Sequence, residues 1–96
     1  PVESPSFNAP SDARLKENFQ ELKTGNILDL PTYKFDFING RKNQIGCKAQ
    51  DLQKICPEIV DENSDGYLSI QESKIVYLLL EEVKKLRQEL DELKRS

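Results

Sequence analysis

The 96-residue chain predicts an α+β fold: small β-hairpins and short helices, followed by a long C-terminal helix that forms a parallel coiled coil. Three observations lead there. Tyr33, Phe35 and Phe37 alternate with Lys34 and Asp36 just ahead of Asn39-Gly40, the pattern of a strand running into a tight turn. Residues 72 to 94 contain neither Gly nor Pro and are rich in Leu, Glu and Lys, which favour helix. Within that stretch Val76, Leu79, Val83, Leu86, Leu90 and Leu93 are spaced alternately by three and four, as the a and d positions of a heptad repeat are.

Composition bounds the rest. The length allows one domain, and a charged fraction of 32% with no Trp or Met implies a modest core, so association between copies would supply missing burial. The net charge is -3, and basic pairs such as Lys84-Lys85 sit among acids, so no nucleic-acid partner is expected. The longest apolar run, Ile75 to Leu80, is far shorter than the roughly 20 residues of a membrane span, and no membrane partner is expected. No basic region followed by an apolar stretch opens the chain, so no signal peptide is expected. Cys47 and Cys56 form no CxxC pair, and there is no His to complete a zinc site. Two reduced, partly buried thiols are expected, although the spacing leaves a disulfide open. No cofactor is expected.

The elements follow in order. Pro1, Pro5 and Pro10, with Ser4 and Ser6, resist helix, and residues 1 to 10 read as a linker from an upstream domain. From Ser11 the texture changes to SDARLKENFQEL, where Leu15, Phe19 and Leu22 recur at the spacing of a short amphipathic helix or turn. Gly25 ends it, and Pro31 closes the segment from Asn26 to Leu30. The strand of Tyr33 to Phe37, with one buried face, should pair across Asn39-Gly40 with Asn43 to Cys47. Ala49 to Cys56 reads as a short helix with Leu52, Ile55 and Cys56 inward, terminated by Pro57. A second hairpin should pair Glu58 to Asp61 with Tyr67 to Ile70 across Ser64-Asp65-Gly66. Residues 11 to 70 thus form a globular body and 71 to 96 a coiled-coil helix.

The helix carries most of the functional information. With Val76 at a, Glu82 and Glu89 fall at g, and Arg87 and Lys94 at e. In a parallel arrangement each g side chain faces the e position five residues later on its neighbour, so Glu82 meets Arg87 and Glu89 meets Lys94. Such pairs select orientation, and the leucines supply the energy. A single helix packed on its own domain is the competing reading. Past Val83, however, the apolar stripe has the narrow width of a coiled-coil seam. Val at a with Leu at d leans towards two strands, so periodicity leaves two chains or three open. Ile75 to Leu80, apolar on every side, should lock into the assembled body, and Val83 to Leu93 should project.

A further pattern runs from Asp61 through Asn63, Asp65 and Ser69 to Glu72, the oxygen-ligand spacing of a calcium loop with Gly66 at its turn. Pro57 stands where the incoming helix of an EF-hand should be unbroken, and no second loop exists to pair with it. A β-turn with solvated acidic flanks explains the residues better, and no metal site is expected.

The segments SDARLKEN, IGCKAQDLQKICPEIV and DGYLSI, with the terminal leucine helix, stand in an order that resembles the intramolecular chaperone domain of phage endosialidases and tail fibres. Related self-cleaving domains occur in neck appendages and in a membrane-anchored myelin transcription factor. The likeness runs from Ser11 to about Lys94. It implies a homotrimer that holds three upstream chains in register while they fold and is then released by autocleavage. The site would be the host-cell cytoplasm during assembly, with the upstream client passing into the virion. The family cleaves with a Ser and Lys dyad, and the matching positions are Ser11 and Lys16, with the scissile bond between Pro10 and Ser11. That would make the chain a single-turnover Ser/Lys endopeptidase.

A lysine serves as base when burial or a nearby cation favours its neutral form; Arg14 would help and Asp12 oppose. Five residues on a regular helix place side chains about 140° apart, so Ser11 should precede any helix and a turn should bring the two groups together. Without the resemblance, Ser11 reads as a helix N-cap and Lys16 as a solvated charge. Two other functions stand beside the leading one: a non-cleaving oligomerisation module with inert Ser11 and Lys16, and a calcium-binding module at residues 61 to 72.

Overall fold

The computed structural model describes residues 10–95, so the expected linker lies outside the described residues except for Pro10. The architecture is α+β. In chain order it comprises strand β1 (Tyr33–Phe35), strand β2 (Gln44–Gly46), helix α1 (Ala49–Ile55), strand β3 (Val60–Glu62), strand β4 (Leu68–Ile70) and helix α2 (Ile75–Arg95). Single 3-10 turns occur at Ala13–Leu15, Ile27–Asp29, Pro57–Ile59 and Glu72–Lys74.

Both expected hairpins form. In the first, Tyr33 pairs with Gly46, Lys34 with Ile45 and Phe35 with Gln44, all antiparallel. Its turn differs from the two-residue form that Asn39-Gly40 predicts. Phe37 N–H donates to Arg41 C=O at 2.8 Å and Gly40 N–H to Phe37 C=O at 3.1 Å, with Asn39, not Gly40, in the left-handed region at φ 56°. Asn43 is also left-handed, and its N–H turns to the Asp36 carboxylate at 2.7 Å. That diversion ends the ladder early, because an N–H bound to a side chain is lost to strand pairing. The strand also lacks the buried face its alternation implies. Phe35 is half-buried and stacks edge-on against Phe37, but Tyr33 and Phe37 are exposed.

The second hairpin pairs Val60 with Ile70, Asp61 with Ser69 and Glu62 with Leu68. Asn63 builds its turn: Oδ1 accepts from the N–H groups of both Asp65 and Tyr67 at 2.9 Å, while Gly66 takes φ 86°. Only a residue without Cβ adopts that conformation at little cost.

The core is small. Ile27, Leu52, Cys56, Ile59 and Leu78 are buried together, with Leu30, Ile55, Val60, Ile70 and Ile75 packed around them. Leu52 on the inner face of α1 and Cys56, which caps the helix, are both buried, as the sequence predicts. Cys56 and the half-buried Cys47 are both free thiols. Burial, then the acids Glu72 and Asp51, push the Cys47 thiol up; burial and then Glu58 do the same to Cys56.

The segment from Ser11 to Leu22 does not form an amphipathic helix. It makes one turn at Ala13–Leu15 and then runs irregularly, with Asn18 left-handed at φ 58°. Leu15, Phe19 and Leu22 are exposed, and no buried residue stabilises the turn. Helices this short need a packed face to persist in water, and this one has none.

Candidate functional site

Two features bear on function: the Ser11 and Lys16 pair at the start of the body, and the outer face of α2. Asp12, not Ser11, caps the first turn, its Oδ1 accepting from Arg14 N–H at 2.9 Å. Ser11 therefore precedes the turn and Lys16 closes it with an extended backbone. The reversal brings the side chains together, and Lys16 Nζ donates to Ser11 Oγ at 3.2 Å. Both residues, and Pro10 before them, are exposed.

The electrostatics differ from the sequence expectation for Arg14. Its Nε and Nη2 bind the two oxygens of Asp12 at 3.1 and 2.8 Å, a bidentate pair. That pairing holds the Asp12 carboxyl below its usual range and the Arg14 guanidinium above its own. A guanidinium so compensated supplies little repulsion to a neighbouring ammonium. Within one chain, the hydroxyl and amine are thus juxtaposed without the burial or the cation expected to favour a neutral lysine.

On α2 the sequence predicts a stretch apolar on every side from Ile75 to Leu80 and then one seam, and the structure separates a face held to the body from an exposed apolar stripe. Leu78 is buried in the core, Ile75 packs against it, and Glu82 and Lys85 reach back to Thr24. These four lie along one side of the helix. Val76, Leu79, Val83, Leu86 and Leu90 form a second stripe roughly a quarter turn (about 90°) away. All five are exposed, Leu79 by 44% and Val83 by 61%, and Leu93 is exposed as well. The face that anchors the helix to its body and the heptad seam are therefore distinct surfaces. Arg87, Glu89 and Lys94 flank the seam and are exposed.

Glu82 is the exception among the flanking residues. Thr24 Oγ1 donates to its Oε1, and Lys85 Nζ donates to Thr24 Oγ1 at 2.9 Å and to Glu82 Oε1 at 3.2 Å. Thr24 is buried, and the Glu82 side chain is only 12% exposed. The Thr24 hydroxyl, with Lys85 assisting, draws the Glu82 carboxyl below its usual range. The expected solvent-facing g acid is thus held against its own body. Nothing local in the sequence announces this joint, because its partners are 58 and 61 residues apart.

The calcium-loop residues serve a hairpin. Asp61 and Ser69 face each other in the ladder, Asn63 Oδ1 is occupied by two backbone donors, and the Asp61 carboxylate accepts from Gln71 Nε2 at 3.1 Å. Asp65 lies in the turn and Glu72 opens the 3-10 turn before α2. Strands, not helices, flank the loop. No cluster of three His, Cys, Asp or Glu side chains able to hold a metal ion occurs among the described residues. No helix among the described residues is long and apolar enough to cross a membrane.

Comparison with known proteins agrees with this arrangement. The family model described as chaperone of endosialidase matches residues 11–61, which begin at Ser11 and include both hairpin-forming β1–β2 and α1. The chain belongs to that family. It is also 32% identical to the long tail fiber protein Gp37 of Enterobacteria phage M1 and to that of Enterobacteria phage Ox2. Each alignment covers 88% of this chain but 38% of the relative, so the chain spans well under half the length of these fibre proteins.

Proposed function

We propose that this chain is the C-terminal intramolecular chaperone of a longer viral fibre or spike protein, which it aligns by parallel trimerisation. The supporting observation is the row of exposed a and d side chains on α2, set apart from the face that holds the helix to its own body. Exposed apolar surface of this regularity is costly in water and is removed when equivalent helices pack together. Holding three chain ends together raises their concentration for one another, and that favours interwound β-structure with many non-local contacts. Assembly takes place in the host-cell cytoplasm, and the upstream fibre passes to the virion.

The central measurement is light scattering on the purified chain. Three subunits are expected, and a monomer at high micromolar concentration refutes the proposal. The chaperone role itself requires that a fibre lacking residues 11 to 96 fail to fold and trimerise.

Release follows by self-cleavage between Pro10 and Ser11. Ser11 Oγ attacks the Pro10 carbonyl carbon while Lys16, in its neutral form, takes the hydroxyl proton. The C–N bond breaks, the nitrogen of Ser11 is protonated, and water hydrolyses the resulting ester. The 3.2 Å contact between Lys16 Nζ and Ser11 Oγ supports this assignment. A chain fused to its upstream domain should be cut at that bond, and Ser11→Ala should leave it whole. A wild-type chain that stays as uncut as Ser11→Ala favours instead a non-cleaving oligomerisation module, for which the seam alone suffices.

A further inference from the structure

The e column of the heptad repeat is polar at Arg87 and Lys94 but begins with Leu80, which is 47% exposed. Leu80 belongs to neither apolar face of its own helix. It lies opposite the side carrying Ile75, Leu78 and Glu82, and about 80° from the centre of the seam. An exposed leucine in a column otherwise reserved for cations calls for an apolar partner outside its own chain.

Parallel geometry names that partner. Each g residue faces the e residue five positions later on the neighbouring helix, so the rule that pairs Glu82 with Arg87 and Glu89 with Lys94 also pairs Ile75 with Leu80. The row of contacts therefore reads apolar, charged, charged, and every member is complementary. Both upper g residues are held by the body: Ile75 is half-buried against the core, and Glu82 is fastened to Thr24 and Lys85. Whatever reaches them from a second helix also reaches the body beside them.

We propose that Leu80 of one copy seats against Ile75 of its neighbour, so that each α2 lies in a groove between the neighbour's α2 and the neighbour's body. This contact rests on the parallel self-association proposed above. It makes the junction of body and helix, and not only the distal coil, the place where copies take their register. Arg87 of the incoming helix meets Glu82, whose carboxylate Thr24 and Lys85 already hold in place. An antiparallel helix would pair g with g and e with e, which sets Leu80 away from Ile75.

Dilution series of the full chain test the contact, with wild type compared to Leu80→Ser and Tyr77→Ser. Tyr77 is 61% exposed and sits on the b position, off the seam and bordering its own body beside Ile59 and Leu78, so it controls for the mere loss of apolar surface outside the proposed contact. Leu80→Ser should raise the concentration at which copies associate by roughly tenfold or more, whereas Tyr77→Ser should leave it within about twofold. Equal association of Leu80→Ser and wild type overturns the contact while sparing the trimer. Equal weakening by both variants also overturns it. A wild-type chain that remains monomeric overturns the self-association reading itself.

A photoreactive benzoylphenylalanine in place of Leu80 provides a second measurement that does not depend on the serine variant folding. Mixing isotopically labelled and unlabelled copies distinguishes cross-links between chains from those within one. Links between copies at or near Ile75 are expected. Links confined to one copy, or to the distal end of α2, overturn the proposal.

Discussion

Gly25 shows how much one residue decides in a chain with so small a core. Its φ is 56°, and a Cβ there would lie 3.3 Å from the carbonyl oxygen of Ile55, so backbone conformation and close approach both favour glycine. This turn delivers Thr24 to α2 and Ile27 to the core. Leu52 sits at the centre of the same cluster with no exposed surface. Leu52→Ala should cost about 2–5 kcal/mol, and for a domain this size that threatens folding altogether. Urea unfolding followed by circular dichroism measures it; a loss below about 1 kcal/mol would show that the site collapses around the missing methyls. Leu52 was legible in the sequence as an inward position, whereas Gly25 reads there as the stop of a helix that does not form. That Gly25 packs against Ile55 was not legible, because it meets the end of α1 only in the folded chain.

At the scale of elements, the two hairpins and α1 follow from alternation, turn residues and Pro57, which act within a few neighbours. The amphipathic spacing of Leu15, Phe19 and Leu22 misled for a physical reason. A 3.6-residue period marks a helix only when something packs on its apolar side, and Leu15, Phe19 and Leu22 stay exposed among the described residues. The joint between the N-terminal segment and α2 has the opposite character, with no local signature and clear tertiary geometry.

That joint also carries a pH dependence. The folded carboxyl of Glu82 titrates below its unfolded value because the Thr24 hydroxyl and Lys85 favour the ionised form. Its stabilisation is therefore present above the unfolded value, about 4.3, and is lost as pH falls through the folded one. Thermal melts should show Glu82→Gln less stable than wild type at pH 7, with the two converging towards pH 3. A difference that persists unchanged in acid would assign the effect to packing instead of charge.

For the whole molecule, the notable quantity is how much large apolar surface one chain leaves exposed, from Tyr33 and Phe37 on the first hairpin to the seam of α2. A single copy spans 55 Å along its longest axis, and five apolar residues are buried among those described. The proposed association through α2 would remove part of that exposure, and its orientation can be tested by a charge exchange. Glu89→Lys and Lys94→Glu should each weaken association a few-fold, since an exposed pair contributes about 0.2–1 kcal/mol. The double variant should recover wild-type behaviour in a parallel coil. Failure to recover would point to an antiparallel or unpaired arrangement. Leu86→Asp should abolish association at micromolar concentration, read by light scattering, because it buries an unpaired charge in the seam.

The sequence by itself determined the α+β class, the order of the hairpins and α1, the long α2 and the spacing of the apolar residues along it. These depend on periodicity and turn chemistry within about ten residues of chain. It also marked Ser11 and Lys16, through the likeness of SDARLKEN to a known family. Only the tertiary structure decided that Ser11 and Lys16 meet across a turn capped by Asp12, and that Asp12 takes up the charge of Arg14. It alone decided that Glu82 belongs to its own body and that the face anchoring α2 is distinct from its exposed apolar stripe. Those outcomes depend on which distant segments the small core brings together, and no local pattern encodes that choice.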